Sequence, residues 1–292
     1  MPDSRVSFLG LGRFPVARLA AMLWLSVVLA GPCWAGDLSP AGPEAQADGQ
    51  AAQPKEWDVK LGAGARTSPK YEGSAAYTVS PLPYFNVTWR DTVSLGMKGL
   101  DFNLLHDQDY KFGLGLTYNL GRDGRGSNFF GTSLSGTDEK LRSLGTIDPA
   151  VGVRAFGSYT LSPVVVRASV TKFTGYQNNG TLVDMGLSLP YPVMDKLTLT
   201  PGLGTTWADD SYMRTFYGVT GDQSGRSGLP VFHASNGFKD VTAGLMATYQ
   251  FDPHWSLSVD ADIKRLLGDA DRSPITDAST SASFSSMVGY HF

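Results

Sequence analysis

Thiols are almost absent from this chain. Its one cysteine, Cys33, lies in an N-terminal stretch that reads as a cleaved signal peptide. Without that stretch no thiol remains, which excludes a disulfide scaffold and thiolate metal sites. Charge is scarce too: Asp, Glu, Lys and Arg make up 17% of residues, against about 25% in ordinary soluble domains. The 24 basic residues do not outnumber the 27 acids, so no nucleic-acid partner is expected. The one long apolar run, Leu19–Gly31, is shorter than the roughly 20 residues a membrane-spanning helix needs. No later segment carries a sustained helical stripe. Histidine is rare as well, and none of His106, His233, His254 and His291 pairs with another at metal-ligand spacing. No metal or other cofactor is expected.

What is present begins with targeting. Arg13 and Arg18 precede the apolar run, and small residues follow around Cys33-Trp34-Ala35. That order predicts a signal peptide over 1–35, cut between Ala35 and Gly36. Pro32 ahead of the cysteine argues against a lipoprotein. Removing the segment takes away three basic residues and one acid, leaving 21 against 26 and a net charge near −5. Residues 36–55, "GDLSPAGPEAQADGQAAQPK", contain no aromatic and too little apolar surface to order themselves. They read as a flexible periplasmic lead-in to a domain at 56–292.

Within that domain the period is two. Trp255, Leu257, Val259, Ala261 and Ile263 alternate with Ser256, Ser258, Asp260, Asp262 and Lys264, and similar patterns run through 57–65 and 112–120. Such alternation places apolar side chains on one face of a strand and polar ones on the other. Short turns at 90–91, 106–109, 162–163, 194–196 and 252–254 contrast with long polar links at about 121–147, 208–237 and 267–278, and a shorter one at 175–179. This is the signature of an outer-membrane β-barrel with tight periplasmic turns and larger external loops. A soluble β-sandwich also alternates, but here Arg154, Arg167, Asp184, Asp260, Asp262 and Lys264 sit in mid-strand on the polar face, as in a lumen. Aromatics also gather at strand ends: Trp57, Trp89, Trp207, Tyr249, Trp255, Tyr290 and Phe292.

The fold class is therefore all-β, a transmembrane antiparallel up-and-down barrel. Strands at 57–66, 76–89, 92–97, 99–105, 110–121, 149–161, 164–174, 180–191, 196–207, 238–250, 254–266 and 279–292 give about twelve, or ten if 92–105 merges or drops out. Pro81, Pro83, Pro190, Pro192 and Pro201 each remove a ladder donor, which predicts bulges or strand ends near them. A closed barrel pairs its last strand with its first. Phe284, Val288, Tyr290 and Phe292 alternate to the terminus and resemble the signal read by the bacterial barrel-assembly machinery.

The loops carry a family resemblance. "SPKYEGSAAYTVSPLPYFNVTWRD" (68–91), "LRSLGTIDP" (141–149), "DDSYMRTFYGVT" (209–220) with "SGLPVFHASNGFKDV" (227–241), and "RLLGDADRSPIT" (265–276) occur in this order. Together they resemble the MipA/OmpV family of outer-membrane proteins, with Phe216-Tyr217 in place of the family's more usual Tyr-Phe. The resemblance implies a Gram-negative outer-membrane barrel embedded in outer-membrane lipid. It further implies a scaffold joining a lytic murein transglycosylase to a bifunctional murein synthase. Other members are discussed as adhesins or in uptake, and no catalytic residues carry over.

Chemistry in the residues themselves is thin. Asp209, Asp210, His233 and Ser235 share one external loop and are the one candidate set for nucleophilic chemistry. Their plainer reading is as solvated loop acids and a turn residue. "LGAGA" (61–65) lacks the helix that a phosphate loop needs. The expectation is a non-enzyme. The lumen charges leave two outcomes open: cross-pairing would plug the barrel, and segregation would open a narrow polar channel. Alongside the scaffold stand a narrow channel for small solutes and a surface adhesin using loops 121–147 and 208–237.

Overall fold

The computed structural model describes residues 56–122, 128–129, 132–133 and 139–292. The predicted signal peptide 1–35, its cut at Ala35–Gly36 and the lead-in 36–55 lie outside them. The strands are β1 (Trp57–Pro69), β2 (Tyr77–Trp89), β3 (Val93–Gly96), β4 (Gly99–His106), β5 (Tyr110–Asn119), β6 (Asn128–Phe129), β7 (Thr132–Ser133), β8 (Ala150–Leu161), β9 (Val164–Thr174), β10 (Gly180–Ser188), β11 (Tyr191–Met194), β12 (Leu197–Ala208), β13 (Gly237–Gln250), β14 (Trp255–Leu266) and β15 (Thr280–His291). Four short helices lie in the links: α1 (Glu139–Leu144), α2 (Asp210–Tyr217), α3 (Gly221–Ser227) and α4 (Gly268–Arg272).

Thirteen strands form one antiparallel sheet. β10 and β11 are two pieces of one stave, interrupted at Leu189-Pro190, and both pair with β12. The sheet therefore has twelve staves, and it closes where β1 meets β15, from Lys60↔His291 to Thr67↔Phe284. Closure is what lipid demands, because no water is available there to satisfy an open edge. The short hairpin β3–β4 survives as two separate staves, so the count is twelve and not ten.

Burial is inverted relative to a soluble protein. Outward Leu203, Val153 and Ile263 are 55%, 57% and 59% exposed, while inward Ser258 and Asp262 are 3% and 4% exposed. Phe284, Val288 and Phe292 face outward from β15. Near the periplasmic ends of β14 and β15, Tyr290 meets Trp255 and Phe292 at ring distances of 4.9 and 4.7 Å. Trp57 and Trp89 pair at 6.4 Å on β1 and β2. Amphipathic rings of this kind suit the membrane–water interface.

The prolines act in more than one way. Pro190 ends β10, and Pro192 sits at a register shift in β11. Pro201 lies inside β12, where its carbonyl accepts from the Leu189 N–H beside that break. Pro81 and Pro83, by contrast, lie in an unbroken strand, with regular pairing to Ala65 and Ala63. A missing donor costs nothing on a side where no neighbouring strand asks for it.

The external links carry packed structure of their own. Helices of five to eight residues have no stability alone; these are held by packing and caps. Asp209 accepts the Tyr212 N–H at the start of α2, and Thr220 forms a capping box with Gln223 on α3. Tyr212, Met213, Tyr217, Ala234 and Ala270 bury together with Ala208 and Leu266 from the strand ends. Leu141, Leu144, Val219 and Ile275 form a second apolar cluster. Polar loops thus enclose a small core of their own.

Candidate functional site

Beneath this cap lies a cavity of about 320 Å³. Its walls come from both sides of the barrel: Arg66, Ser281 and Ser283 on one side, Arg154, Phe173 and Asp184 on the other. Glu72, in the loop between β1 and β2, reaches down from above. Its carboxylate accepts from Lys239 at 2.6 Å, Lys264 at 2.7 Å and the Tyr217 hydroxyl at 2.6 Å. Burial alone would raise the Glu72 pKa, but the two ammonium groups outweigh it and hold the carboxyl well below its ordinary range. Burial is also the main reason the Tyr217 hydroxyl is pushed well above its usual value, with the Glu72 charge adding to it. The cap is therefore fastened to the barrel wall by charge-assisted hydrogen bonds.

Lys239 owes its place to a β-bulge. The β12–β13 register shifts so that Trp207 faces Phe238 and Thr206 faces Asp240, leaving Lys239 as the extra residue. Both Lys239 and Asp240 are consequently inside, 2.6 Å apart and nearly inaccessible. Strict alternation would have sent Lys239 into lipid along with Val241 and Ala243. The signal was visible as a parity slip, with apolar Phe238 and Val241 separated by two polar residues instead of one.

Lower in the lumen, opposite charges pair along the wall. Arg154 on β8 reaches Asp101 on β4 at 2.6 and 2.7 Å, passing over β5. Gly115 makes this possible, since a Cβ there would collide with the Asp101 carboxylate. Arg66 on β1 meets Asp262 on β14 at 3.4 Å, across β15. Asp184 accepts from Ser169 and Thr206 on its two neighbouring strands. Arg167 has no ion-pair partner among the described residues, and neither carboxylate oxygen of buried Asp260 has a hydrogen bond there. Among the described residues these two pairs run along the wall from strand to strand.

The comparisons with known proteins fit this architecture. The family model described as MltA-interacting protein MipA matches residues 61–292. The chain belongs to this family. Members are outer-membrane barrels of Gram-negative bacteria, and that is this protein's location. Two relatives, the MltA-interacting proteins of Escherichia coli K12 and Shigella flexneri, are each 30% identical over 127 residues, covering 44% of this chain. The match spans about half the length of those relatives. Among solved structures, the NanC porin has a TM-score of 0.40 at 10% identity, with 80% of this chain and 98% of that one covered. The KdgM porin gives 0.39 at 8% identity, with 80% and 99% covered.

The external loop that suggested nucleophilic chemistry is committed to structure. Asp209 caps α2. Asp210 accepts the Asn236 main-chain and side-chain N–H groups, and the Ser235 N–H donates to Asp269. His233 is exposed on the same loop. In this MipA-family member the Phe216-Tyr217 order is what places a hydroxyl on the buried side, against Glu72.

Proposed function

We propose that this barrel works as a membrane-anchored platform, holding a lytic murein transglycosylase and a bifunctional murein synthase together at the inner face of the outer membrane. One observation carries the reading: the external mouth is roofed by a packed cap whose Glu72 is bound to Lys239 and Lys264 in the wall. A barrel closed in this way is poorly suited to free diffusion, and twelve staves fall below the 16–18 of open porins. Two curated relatives carry the name MltA-interacting protein, which agrees with a partner that acts on murein. The role needs no chemistry from the barrel itself. Its periplasmic face consists of the turns at 90–92, 107–109, 162–163, 195–196 and 251–254. Phe284, Val288, Tyr290 and Phe292 fit a strand presented to the assembly machinery during insertion.

The test is capture of purified lytic transglycosylase by the detergent-solubilised barrel, together with planar-bilayer conductance. Capture that disappears when the five periplasmic turns are exchanged, with conductance at background, is the expected outcome. Steady conductance well above background would replace the platform with the narrow channel. Retention of a host surface ligand through 208–237, without transglycosylase, would replace it with the adhesin.

A further inference from the structure

Three donors from separate parts of the chain converge on the Glu72 carboxylate: Lys239 on β13, Lys264 on β14 and the Tyr217 hydroxyl at the end of α2. Such a set recognises a carboxylate by its charge and lone pairs, whatever molecule bears it. Lys239 has a second acid, Asp240, at 2.6 Å. Among the described residues Lys264 has, besides Glu72, that same Asp240 at the longer distance of 4.0 Å. Lys264 is thus the donor that depends most on what fills the Glu72 position.

The loop that carries Glu72 does not need the side chain to hold its course. The Gly73 carbonyl accepts the Asp277 and Ala278 N–H groups at 2.7 and 2.9 Å, and the Lys70 N–H donates to the Ala76 carbonyl at 2.9 Å. The Tyr71 hydroxyl donates to the Asp277 carboxylate at 2.8 Å. These bonds keep the main chain in place whichever way the Glu72 side chain turns. The carboxylate is a tethered occupant of its site.

Glu72, Lys239 and Lys264 all line the cavity of about 320 Å³. Around them Ser68, Thr117, Thr171, Ser281 and Ser283 also line it, and among the described residues none of these five hydroxyls has a hydrogen-bond partner. Enclosed polar groups ordinarily find partners. A hydroxyl both donates and accepts, so this wall matches a ligand that does the same. Phe173 and Leu182 add an apolar side, and the volume is at the small end of ligand sites.

We propose that the cavity is a receptor site for a soluble hydroxylated carboxylate, and that Glu72 occupies its anion position until such a ligand exchanges for it. The ligand's carboxylate takes the three donors, and its hydroxyl-bearing chain lies along Thr171, Ser281 and Ser283. Tethering gives Glu72 a high effective concentration beside its donors. A bare carboxylate brings no contact that Glu72 lacks, so it does not displace it. A ligand that also engages the wall hydroxyls does. A neutral polyol lacks the charge-assisted bonds and binds more weakly.

The test is equilibrium dialysis of the full chain in detergent against gluconate, its uncharged counterpart sorbitol, and acetate. Expected in the parent is saturable binding of a single gluconate per barrel, with sorbitol and acetate weaker by about tenfold or more. Glu72→Ala removes the internal competitor, so gluconate should tighten by about tenfold or more and acetate should begin to bind. Either carboxylate should then return protease resistance to the external loops. Ser283→Phe fills the cavity and should abolish gluconate binding by the parent, while acetate still binds when it is combined with Glu72→Ala. Should Glu72→Ala not assemble, gluconate binding by the parent with and without Ser283→Phe decides the matter. Absence of saturable gluconate binding by the parent, binding that survives Ser283→Phe, or sorbitol bound as tightly as gluconate overturns the site. Equal gluconate affinity in the parent and Glu72→Ala overturns the exchange with Glu72.

Discussion

At its external end the barrel carries links as long as 209–236, with four helices, two apolar clusters and a half-buried carboxylate bound by two lysines. At its periplasmic end the connections are tight turns stabilised locally. Asp252 accepts the His254 and Trp255 N–H groups there, which keep its carboxyl below the usual range. The first end depends on loop residues far apart in sequence, as the Glu72–Lys264 contact illustrates, and the second on turns closed within three positions and tied to adjacent strand ends, as Arg90 is to Glu56. Damage should therefore spread at the cap and stay local at the turns.

The sharpest way to break this comparison is Glu72→Ala. It leaves Lys264 and buried Tyr217 without their best acceptor, and losing one member of a buried charge cluster costs about 4 kcal/mol. Heat-induced unfolding followed on gels should shift down strongly, and the external loops should become protease-sensitive. Acid should mimic the substitution. The folded Glu72 pKa lies below the ordinary glutamate value of 4.5, so its contribution is complete above that pH and is lost as pH falls towards the folded value. Unfolding measured between about pH 6 and pH 2 should steepen with acid in the parent. In Glu72→Gln the excess should disappear; an unchanged acid dependence would mean the cap is held by its apolar clusters alone.

Between the two ends, the wall offers a paired and an unpaired arginine. Arg154→Ala strands Asp101 above Gly115 and is expected to cost about 3 kcal/mol. Arg167→Ala removes a charge with no acid partner among the described residues, and should stay within about 1 kcal/mol of the parent. Urea unfolding of both variants in detergent compares them directly. Equal losses would show that what matters is side-chain volume in the lumen and not charge pairing.

How far the sequence revealed this follows from where the physics is local. Alternation such as Trp255–Lys264 fixes which face of a strand meets lipid, so the twelve-stave barrel was legible. Nothing local says that Glu72, in a polar loop, folds back over the lumen; that depends on Lys239 and Lys264 across the barrel. Lys239 itself was hidden because one bulge reverses the parity on which the reading rests. The prolines of β2 were legible as missing donors, yet only the ladder register reveals that these positions turn their main-chain groups away from β1. Helices such as α4 escape periodicity because five residues are too few to display one.

The smallest expected effect tests the other half of the comparison. Arg90 and Asp91 form the two-residue turn between β2 and β3, both with positive φ, at 48° and 54°. The Thr92 N–H closes the turn on the Trp89 carbonyl at 3.0 Å. This is the mirror-image turn that suits the strand twist, and it normally recruits Asn and Gly. A side chain at positive φ costs roughly 1 kcal/mol, which glycine does not incur. Arg90 is anchored through Glu56 and the Trp89 ring, whereas the Asp91 main-chain carbonyl, which accepts from Asn103, survives substitution. Asp91→Gly should therefore stabilise the barrel by about 1 kcal/mol in urea unfolding. Protease sensitivity of the cap should not change, because the turn's contacts, to Glu56, the Trp89 ring and Asn103, reach only adjacent strands near the same end. Any change in cap proteolysis would show that the two ends are coupled along β2.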